Sequence, residues 1–161
     1  MARREGARLE NNIVKTIKRI LYATDFSKSS ARALDEAINL AQQNKAELLA
    51  VHVIEPVPYA AGEEFASAEI YAKIEEVTDR QAKAAMAKLM QRLKKANVKA
   101  QSLLLRGSAH DQVVKAAKSK KADMIVIGTH GRTGLSKLFM GSVAGKVISS
   151  ATCPVVTVRG K

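Results

Sequence analysis

The chain has 161 residues, 47% of them hydrophobic, and a net charge of +12 at pH 7. This length and composition predict one folded domain and exclude an intrinsically disordered chain. No apolar run approaches the roughly 18 residues that cross a bilayer, and neither a secretory signal nor a membrane partner is expected. Cys153 is the only cysteine, which excludes an internal disulfide and favours a cytoplasmic location.

The positive charge is concentrated in the second half of the chain. Residues 80–161 hold seventeen Lys or Arg against two acidic residues, whereas residues 1–79 hold ten against thirteen. A basic half favours an anionic partner, which could be a nucleotide, a nucleic acid or an acidic protein. Three Phe, three Tyr and no Trp offer few stacking platforms for nucleic-acid bases. The sequence therefore argues against nucleic acid as the main partner.

The first part of the chain predicts two strands, each followed by a helix. Residues 1–18 are expected to form a peripheral or mobile N-terminal extension. Apolar runs predict strands over residues 19–24 and 47–54. Helical spacing of apolar residues predicts a helix over 27–43, which Asn44 would end in the left-handed conformation. A second, long helix is predicted over about 64–96. Its inner face is expected to include Ile70, Ile74, Val77, Ala82, Ala85, Leu89 and Leu93.

The second part of the chain continues the alternation. Strands are predicted over residues 98–105, 122–127 and 154–158. Ser108 opens a capping-box-like start for a third helix, and Gly141-Ser142 opens a fourth. Strict alternation of apolar strands and helices predicts an α/β fold, a doubly wound five-stranded parallel sheet with helices on both faces.

Glycines follow the fourth predicted strand in a pattern that suits a phosphate. Gly128 and Gly131 are followed, nine residues later, by Gly141-Ser142. Glycine lets backbone N–H groups approach a ligand, and a helix start favours an anion. Arg132 and Lys137 add positive charge between them. Such loops also occur as tight turns that bind no ligand, but the full spacing after a buried strand favours a phosphate cradle.

Asp25 directly follows the first predicted strand. Ligands of doubly wound sheets lie at the carboxyl ends of the strands, at the switch point of strand order. Asp25 would face the glycine loop across a cleft if the first and fourth strands were neighbours. Its carboxylate could then accept a hydrogen bond from a ribose hydroxyl or hold a metal. Alternatively, Asp25 caps the helix that follows it, or does both.

No convincing catalytic set accompanies the glycine loop. Hydrolysis of a phosphate anhydride needs a group that orients or deprotonates water, and the candidates are Asp25, His130 and His110. A loop histidine such as His130 is more often solvated or hydrogen-bonded than a base. His52 lies within a predicted strand and is expected to be a packed or sheet-edge residue rather than a ligand. The histidines and Cys153 have no metal-ligand spacing, so no metal site of the protein's own is expected.

Taken together, these segments resemble the universal stress protein family over about residues 18–159. The resemblance rests on residues 20–27, 122–128 and 151–159 and on the glycine pattern. Because that pattern is complete, the chain resembles the ATP-binding branch. The resemblance implies a Rossmann-like domain of the adenine-nucleotide-binding type over residues 19–161. Gly145 departs from the family, where a longer side chain is more usual, and costs about 1 kcal/mol relative to alanine inside a helix.

The resemblance also implies roles for single residues. It places Ala23, Thr24 and Val53 beside the adenine, Asp25 at the ribose, and Gly128 at the start of the cradle. The phosphates would be held by Gly131, Arg132, Gly141, Ser142 and Val143. Mg or Mn would be carried on the phosphates of ATP. Members commonly form homodimers through the last strand, here Val155–Val158, and an apolar edge strand independently favours a partner.

The function expected from this resemblance is an ATP-binding protein that acts as a nucleotide-dependent switch or regulator in a stress response. Hydrolysis would be slow or absent. Two alternatives stay open: a genuine ATPase or phosphotransferase, and a basic module that binds nucleic acid or an acidic partner.

Overall fold

The computed structural model describes residues 16–57, 68–130 and 140–159. Strands and helices alternate along these ranges, which confirms the predicted order. The elements are β1 (Arg19–Ala23), α1 (Lys28–Asn44), β2 (Glu47–Ile54), α2 (Ala68–Lys95), β3 (Ala100–Arg106), α3 (Ala109–Ser119), β4 (Met124–Gly128), α4 (Ser142–Ser150) and β5 (Val155–Val158). Most of the predicted N-terminal extension lies outside the described residues.

The strands form one parallel sheet in the order β3-β2-β1-β4-β5. Ala23 of β1 lies opposite Val51 of β2 on one side and Ile127 of β4 on the other. β2 and β3 are added on one side of β1, whereas β4 and β5 are added on its other side. The strand order therefore reverses between β1 and β4, and this is the switch point of the sheet. The α/β, Rossmann-like fold class is therefore confirmed, and the predicted neighbourhood of β1 and β4 is observed.

Two helices cover each face of the sheet. Ile20 and Tyr22 of β1 pack in the cluster that contains α1 and α2, whereas Leu21 and Ala23 pack with α3 and α4. The Tyr22 hydroxyl donates to the Ser30 carbonyl oxygen at 2.7 Å. Burial raises the pKa of Tyr22 above its ordinary value, so the hydroxyl stays protonated and keeps this donor role.

The C-terminal end of α1 differs from the sequence prediction. Asn44 remains in the helix, and its side-chain amide donates to the Leu40 carbonyl oxygen at 2.9 Å. Lys45 takes the left-handed conformation instead, with φ of 52°. The prediction for Asn44 was wrong by one residue. Asparagine adopts the left-handed conformation more readily than lysine, but the helical hydrogen bonds continue through Asn44 and Lys45 ends the helix.

Only the C-terminal half of α2 packs on the sheet. Its buried residues are Ala82, Met86, Leu89 and Leu93. Ile70 and Ile74, predicted on the inner face, are 48% and 41% exposed, so that prediction was wrong. The physical reason is length: 28 helical residues span roughly 42 Å, whereas the eight residues of β2 span about 27 Å. None of the helices in the described ranges is long and apolar enough to cross a membrane.

Candidate functional site

A cavity of about 480 Å³ opens at the carboxyl ends of β1, β2 and β4, beside the first turn of α4. Cavities of this size accommodate small-molecule ligands. The predicted site residues that line it are Ala23, Thr24, Asp25, Val53, Gly128, Gly141, Ser142 and Val143. The remaining two, Gly131 and Arg132, lie outside the described residues. The structure therefore brings together every predicted site residue that it describes.

A tight turn between β1 and α1 holds Asp25 at the cavity. Phe26 has φ of 61°, a left-handed conformation that is rare for a bulky residue, and its N–H donates to Thr24 Oγ1 at 3.0 Å. Asp25 Oδ1 accepts from the Ser27 N–H at 3.0 Å. The cap of α1 itself is Ser27, whose Oγ accepts from the Ser30 N–H. Asp25 therefore orients the turn before the cap rather than capping α1 directly.

His52 closes the cavity behind this turn. It is buried, and its Nδ1 lies 2.8 Å from the Thr24 carbonyl oxygen. A carbonyl only accepts, so Nδ1 carries the proton. The His52 ring centroid lies 4.5 Å from that of Phe26. His52 is thus a packed residue, as predicted, although it also lines the cavity.

The glycine at the end of β4 allows a close approach to α1. A Cβ on Gly128 would lie 2.7 Å from Ser29 Oγ and 3.1 Å from the Ser29 carbonyl carbon. The sequence pattern suggested that this glycine exposes its amide to a ligand. The structure gives a second reason, which is that only glycine lets the strand end pack this tightly against the start of α1.

The start of α4 provides the cavity with helical N–H groups. Gly141 is the N-cap residue, and Ser142 is the first helical residue, as predicted. The Gly141 N–H donates to the Thr129 carbonyl oxygen at 2.7 Å. The next amides, at Ser142 and Val143, have no helical partner by virtue of their position. Because both residues line the cavity, this wall suits an anion.

The two histidine candidates have different surroundings. His130 lines the cavity, and its Nδ1 lies 2.8 Å from Thr129 Oγ1. Its Nε2 is buried and has no hydrogen-bond partner among the described residues. His110 instead contacts Ser108 Oγ at 3.0 Å and Asp111 Oδ1 at 3.3 Å, and it is absent from the cavity lining within the described ranges. The predicted capping box of α3 was wrong, because the Ser108 side chain caps no backbone N–H.

The described part of the lining is acidic. It contains the carboxylates of Asp25 and Glu55 and, among the described residues, neither Lys nor Arg. Glu55 Oε1 accepts from the Ala109 N–H at the start of α3. The described side chains of the lining therefore suit the uncharged part of a ligand, while the N-terminus of α4 supplies partial positive charge. Arg132 and Lys137, predicted to add positive charge, lie outside the described residues. No group of three His, Cys, Asp or Glu residues that could hold a metal occurs in the described ranges.

Several lining residues were missed in the sequence. They are Ser30, Val51, Ile54, Glu55, Thr78, Ala109, Val113, Ile127, Thr129 and Ala144. Glu55 had a usable signal, because it follows a strand adjacent to β1 and must therefore end at the same edge. Thr78 had no such signal in the sequence, since its place in the lining depends on how α2 packs across the carboxyl edge of the sheet.

Comparison with known proteins gives consistent matches. A model of the universal stress protein family matches residues 16–159. A universal stress protein of Methanocaldococcus jannaschii is 36% identical over 142 residues, which cover 88% of this chain and 82% of that protein. The solved structure of another protein of this family from the same organism has a TM-score of 0.80 at 29% identity and covers 91% of this chain and 98% of that one. A universal stress protein solved in complex with cAMP has a TM-score of 0.59 at 26% identity, with 89% and 97% covered.

Proposed function

The chain belongs to the universal stress protein family, and from this premise we propose that it binds ATP in the cavity at the carboxyl edge and acts as a nucleotide-dependent switch. The observation that carries the proposal is the joint placement of Asp25 and the α4 N-terminus on one cavity. The complex of a related protein with cAMP supports an adenine nucleotide as the ligand class.

In this proposal the ligand lies across the switch point between β1 and β4. The adenine contacts Ala23, Thr24 and Val53, and the ribose hydroxyls donate to Asp25. The proposed phosphate-binding residues are Gly128, Gly131, Arg132, Gly141, Ser142 and Val143. The amides of Ser142 and Val143 donate to the phosphates, whereas the Gly141 N–H remains bonded to Thr129. Mg or Mn bound to the phosphates would offset the repulsion between them and the two lining carboxylates. The buried Nε2 of His130 offers a further polar contact to the ligand.

Thr129 supports the switch part of the proposal. Its N–H donates to the Val158 carbonyl oxygen of β5 at 2.9 Å, and its carbonyl oxygen accepts from the Gly141 N–H of α4 at 2.7 Å. A phosphate that moves the start of α4 would therefore act on the end of β5 through two short backbone hydrogen bonds. Slow or absent hydrolysis is part of the proposal. Of the three candidate bases predicted, Asp25 holds the turn through Oδ1 and His110 is absent from the described lining. Only the Nε2 of His130 then remains to activate water.

The direct test is to identify the nucleotide and measure its affinity. Purified protein is denatured, and any released nucleotide is identified by mass spectrometry. Calorimetric titration with ATP, AMP, cAMP and GTP then compares affinities on nucleotide-free protein. The proposal expects adenine nucleotides to bind and GTP to bind more weakly by at least tenfold. Equal affinity for GTP, or no binding of any of the four, would contradict it.

Ser142→Ala is expected to weaken ATP binding by about 0.5–1.5 kcal/mol, the usual net contribution of one hydrogen bond. Ser142 is exposed at the first helical position of α4 and lines the cavity. Adenosine, which has no phosphate, should bind the variant and the wild type equally. Ser150→Ala at the opposite end of α4 is the matched control and should leave both ligands unaffected. A loss of adenosine affinity in the Ser142 variant would place this residue elsewhere in the site.

We also propose that two copies of the chain pair through β5, Val155–Val158. This strand is an edge of the sheet, and its side chains are half-buried. Thr157 lies opposite Ile127, and a parallel ladder uses alternate residues of each strand. Since Pro154 and Val158 accept hydrogen bonds from the β4 side, the backbone N–H and C=O of Thr157 point away from β4.

Thr157→Pro is therefore expected to convert a dimer into a monomer. Proline removes the outward N–H and leaves the ladder with β4 intact, as edge strands permit. Size-exclusion chromatography with light scattering at tens of micromolar protein measures the mass, and Thr157→Val is the control that retains the N–H. A wild-type monomer, or a proline variant that remains dimeric, would contradict pairing through β5.

A further inference from the structure

The amino edge of the sheet, opposite the cavity, is densely basic. All five strands begin at this edge because the sheet is parallel, and the helices end there. The bases at the strand starts and helix ends of this edge, here called the basic edge, are Lys18, Arg19, Lys45, Lys94, Lys95, Lys99, Lys118, Lys120 and Lys121. The eight lysines are exposed, and Arg19 is half-buried.

The acidic residues on this edge neutralise only part of that charge. In the described part of the edge they are Glu47 and Asp123. Glu47 lies 3.6 Å from Arg19 Nε and 3.7 Å from Lys99 Nζ, and Asp123 Oδ2 accepts from the backbone N–H groups of Lys18 and Arg19. Nine bases and two acids leave a net charge of +7 on a single edge.

Helix dipoles explain some of these lysines, but not all. A helix C-terminus carries about half a negative charge, and nearby cations stabilise it. The four helices of the structure end at this edge, so their dipoles offset about two charges in all. About five positive charges therefore remain without an internal role.

Two of the lysines occupy strained backbone positions. Lys45, Asn97 and Lys121 have φ of 52°, 54° and 53°, and each lies between a helix and the following strand on the basic edge. Glycine is the favoured residue at such positions, because a Cβ makes the left-handed conformation costly. The chain carries lysine at two of the three. Strain retained at the cost of stability points to a function for the charge.

The surroundings of the lysines indicate the class of partner. An open groove of about 400 Å³ lies between the loops that carry Lys45 and Lys99, and its other polar lining residues are Gln42 and Asn97. The described aromatic residues are Tyr22 in the core, Phe26 against the His52 ring, and Tyr71 near the start of α2. None of the three lies on the basic edge.

Among the exposed large apolar side chains of the described ranges, only Ile148 lies near this edge. Single-stranded nucleic acid requires aromatic stacking, and stable protein interfaces have an apolar centre that is poor in lysine. An edge of lysines and amides fits neither of these. It fits a regular array of phosphates, because contacts to a nucleic-acid backbone need charge and hydrogen-bond donors but no apolar surface.

We propose that the basic edge binds the phosphate backbone of double-stranded nucleic acid without sequence preference. From β3 to β4 the edge spans three strand spacings, about 14 Å, which matches roughly four phosphates of one strand at 3.4 Å each. This site lies at the opposite end of the sheet from the cavity. It is therefore independent of the proposed nucleotide binding.

The test is fluorescence anisotropy with a labelled 24-base-pair DNA of arbitrary sequence at several salt concentrations. About four phosphate contacts predict that log K falls with log salt with a slope near −3.6. Lys45→Gly/Lys121→Gly should reduce the slope by about 1.8 and the affinity at least tenfold. Its melting temperature should equal or exceed that of the wild type, because glycine relieves both strained positions. Lys99→Gln/Lys120→Gln, at positions without this strain, should weaken binding in the same way.

The matched control is Lys73→Gln/Lys88→Gln, which removes the same charge from exposed positions of α2 and should leave the slope unchanged. Saturating AMP should leave duplex binding unchanged, because the cavity and the basic edge lie at opposite ends of the sheet. This expectation holds even if AMP does not bind in the cavity. No duplex binding at 50 mM salt, an equal loss in the control, or competition by AMP would overturn the proposal. Tighter binding of polyglutamate or of phosphatidylserine vesicles than of the duplex would overturn it as well, in favour of that other class of partner.

Discussion

Asp25→Ala is expected to weaken binding of AMP and ATP by roughly 10- to 150-fold, since a hydrogen bond to a charged group contributes about 1.5–3 kcal/mol. The Asp25 carboxylate lines the cavity, and one of its oxygens is oriented by the Ser27 N–H. The strained turn at Phe26 holds this carboxylate at the end of β1. Calorimetric titration of nucleotide-free protein measures the loss.

A substitution in the ligand separates a direct contact from a disturbed turn. Asp25→Asn can still accept from the Ser27 N–H, so it preserves the turn while removing the charge. If Asp25 binds the ribose, 2′,3′-dideoxy-AMP should bind the wild type more weakly than AMP does, whereas Asp25→Ala should bind both equally. Unchanged discrimination between the two ligands in the alanine variant would show that Asp25 acts on the turn alone.

Gly128→Ala and Gly145→Ala are expected to change the free energy of unfolding in opposite directions. At Gly128 the added Cβ would lie 2.7 Å from Ser29 Oγ and within 3.2 Å of two Ser29 backbone atoms, an overpacking that costs about 1–3 kcal/mol. At Gly145, inside α4, a Cβ meets no atom within 4 Å. Alanine there should stabilise by about 0.5–1 kcal/mol through its helix preference. Urea unfolding followed by circular dichroism measures both changes.

Ser29→Ala tests the reason given for Gly128. The Ser29 hydroxyl is buried and has no partner among the described residues, so its removal alone should be nearly neutral or stabilising. In the Gly128→Ala background it should recover part of the lost stability, because the shortest contact disappears while the backbone contacts remain. If Gly128→Ala lowers the free energy of unfolding equally with and without the Ser29 hydroxyl, the added Cβ is strained only against the Ser29 backbone.

Much of the fold follows from local patterns in the sequence. Apolar runs and helical spacing depend on neighbouring residues, and they predicted the five strands and four helices in order. Where an end was predicted and the structure describes it, the two agree within about two residues. The turn at Asp25 after β1 and the start of α4 at Gly141-Ser142 were predicted for the same reason, because turn and cap residues act locally. A general rule for doubly wound sheets then placed both at one edge.

The errors at Asn44 and Ser108 are local and concern single hydrogen bonds at helix ends. The remaining errors and omissions concern distances between elements. Ile70 and Ile74 have core spacing but are exposed, because α2 is longer than the sheet beneath it. The tight packing of Gly128 against Ser29, and the presence of Thr78 in the cavity lining, depend on how a helix sits on a strand.

The charge of the chain shows the same division between local and tertiary information. The sequence by itself determined that the second half is basic. Only the tertiary structure decided that lysines from both halves meet at the amino edge while two carboxylates line the cavity at the other edge. The physical reason is that charge is counted along the chain, whereas strand order and direction determine which side chains share a surface.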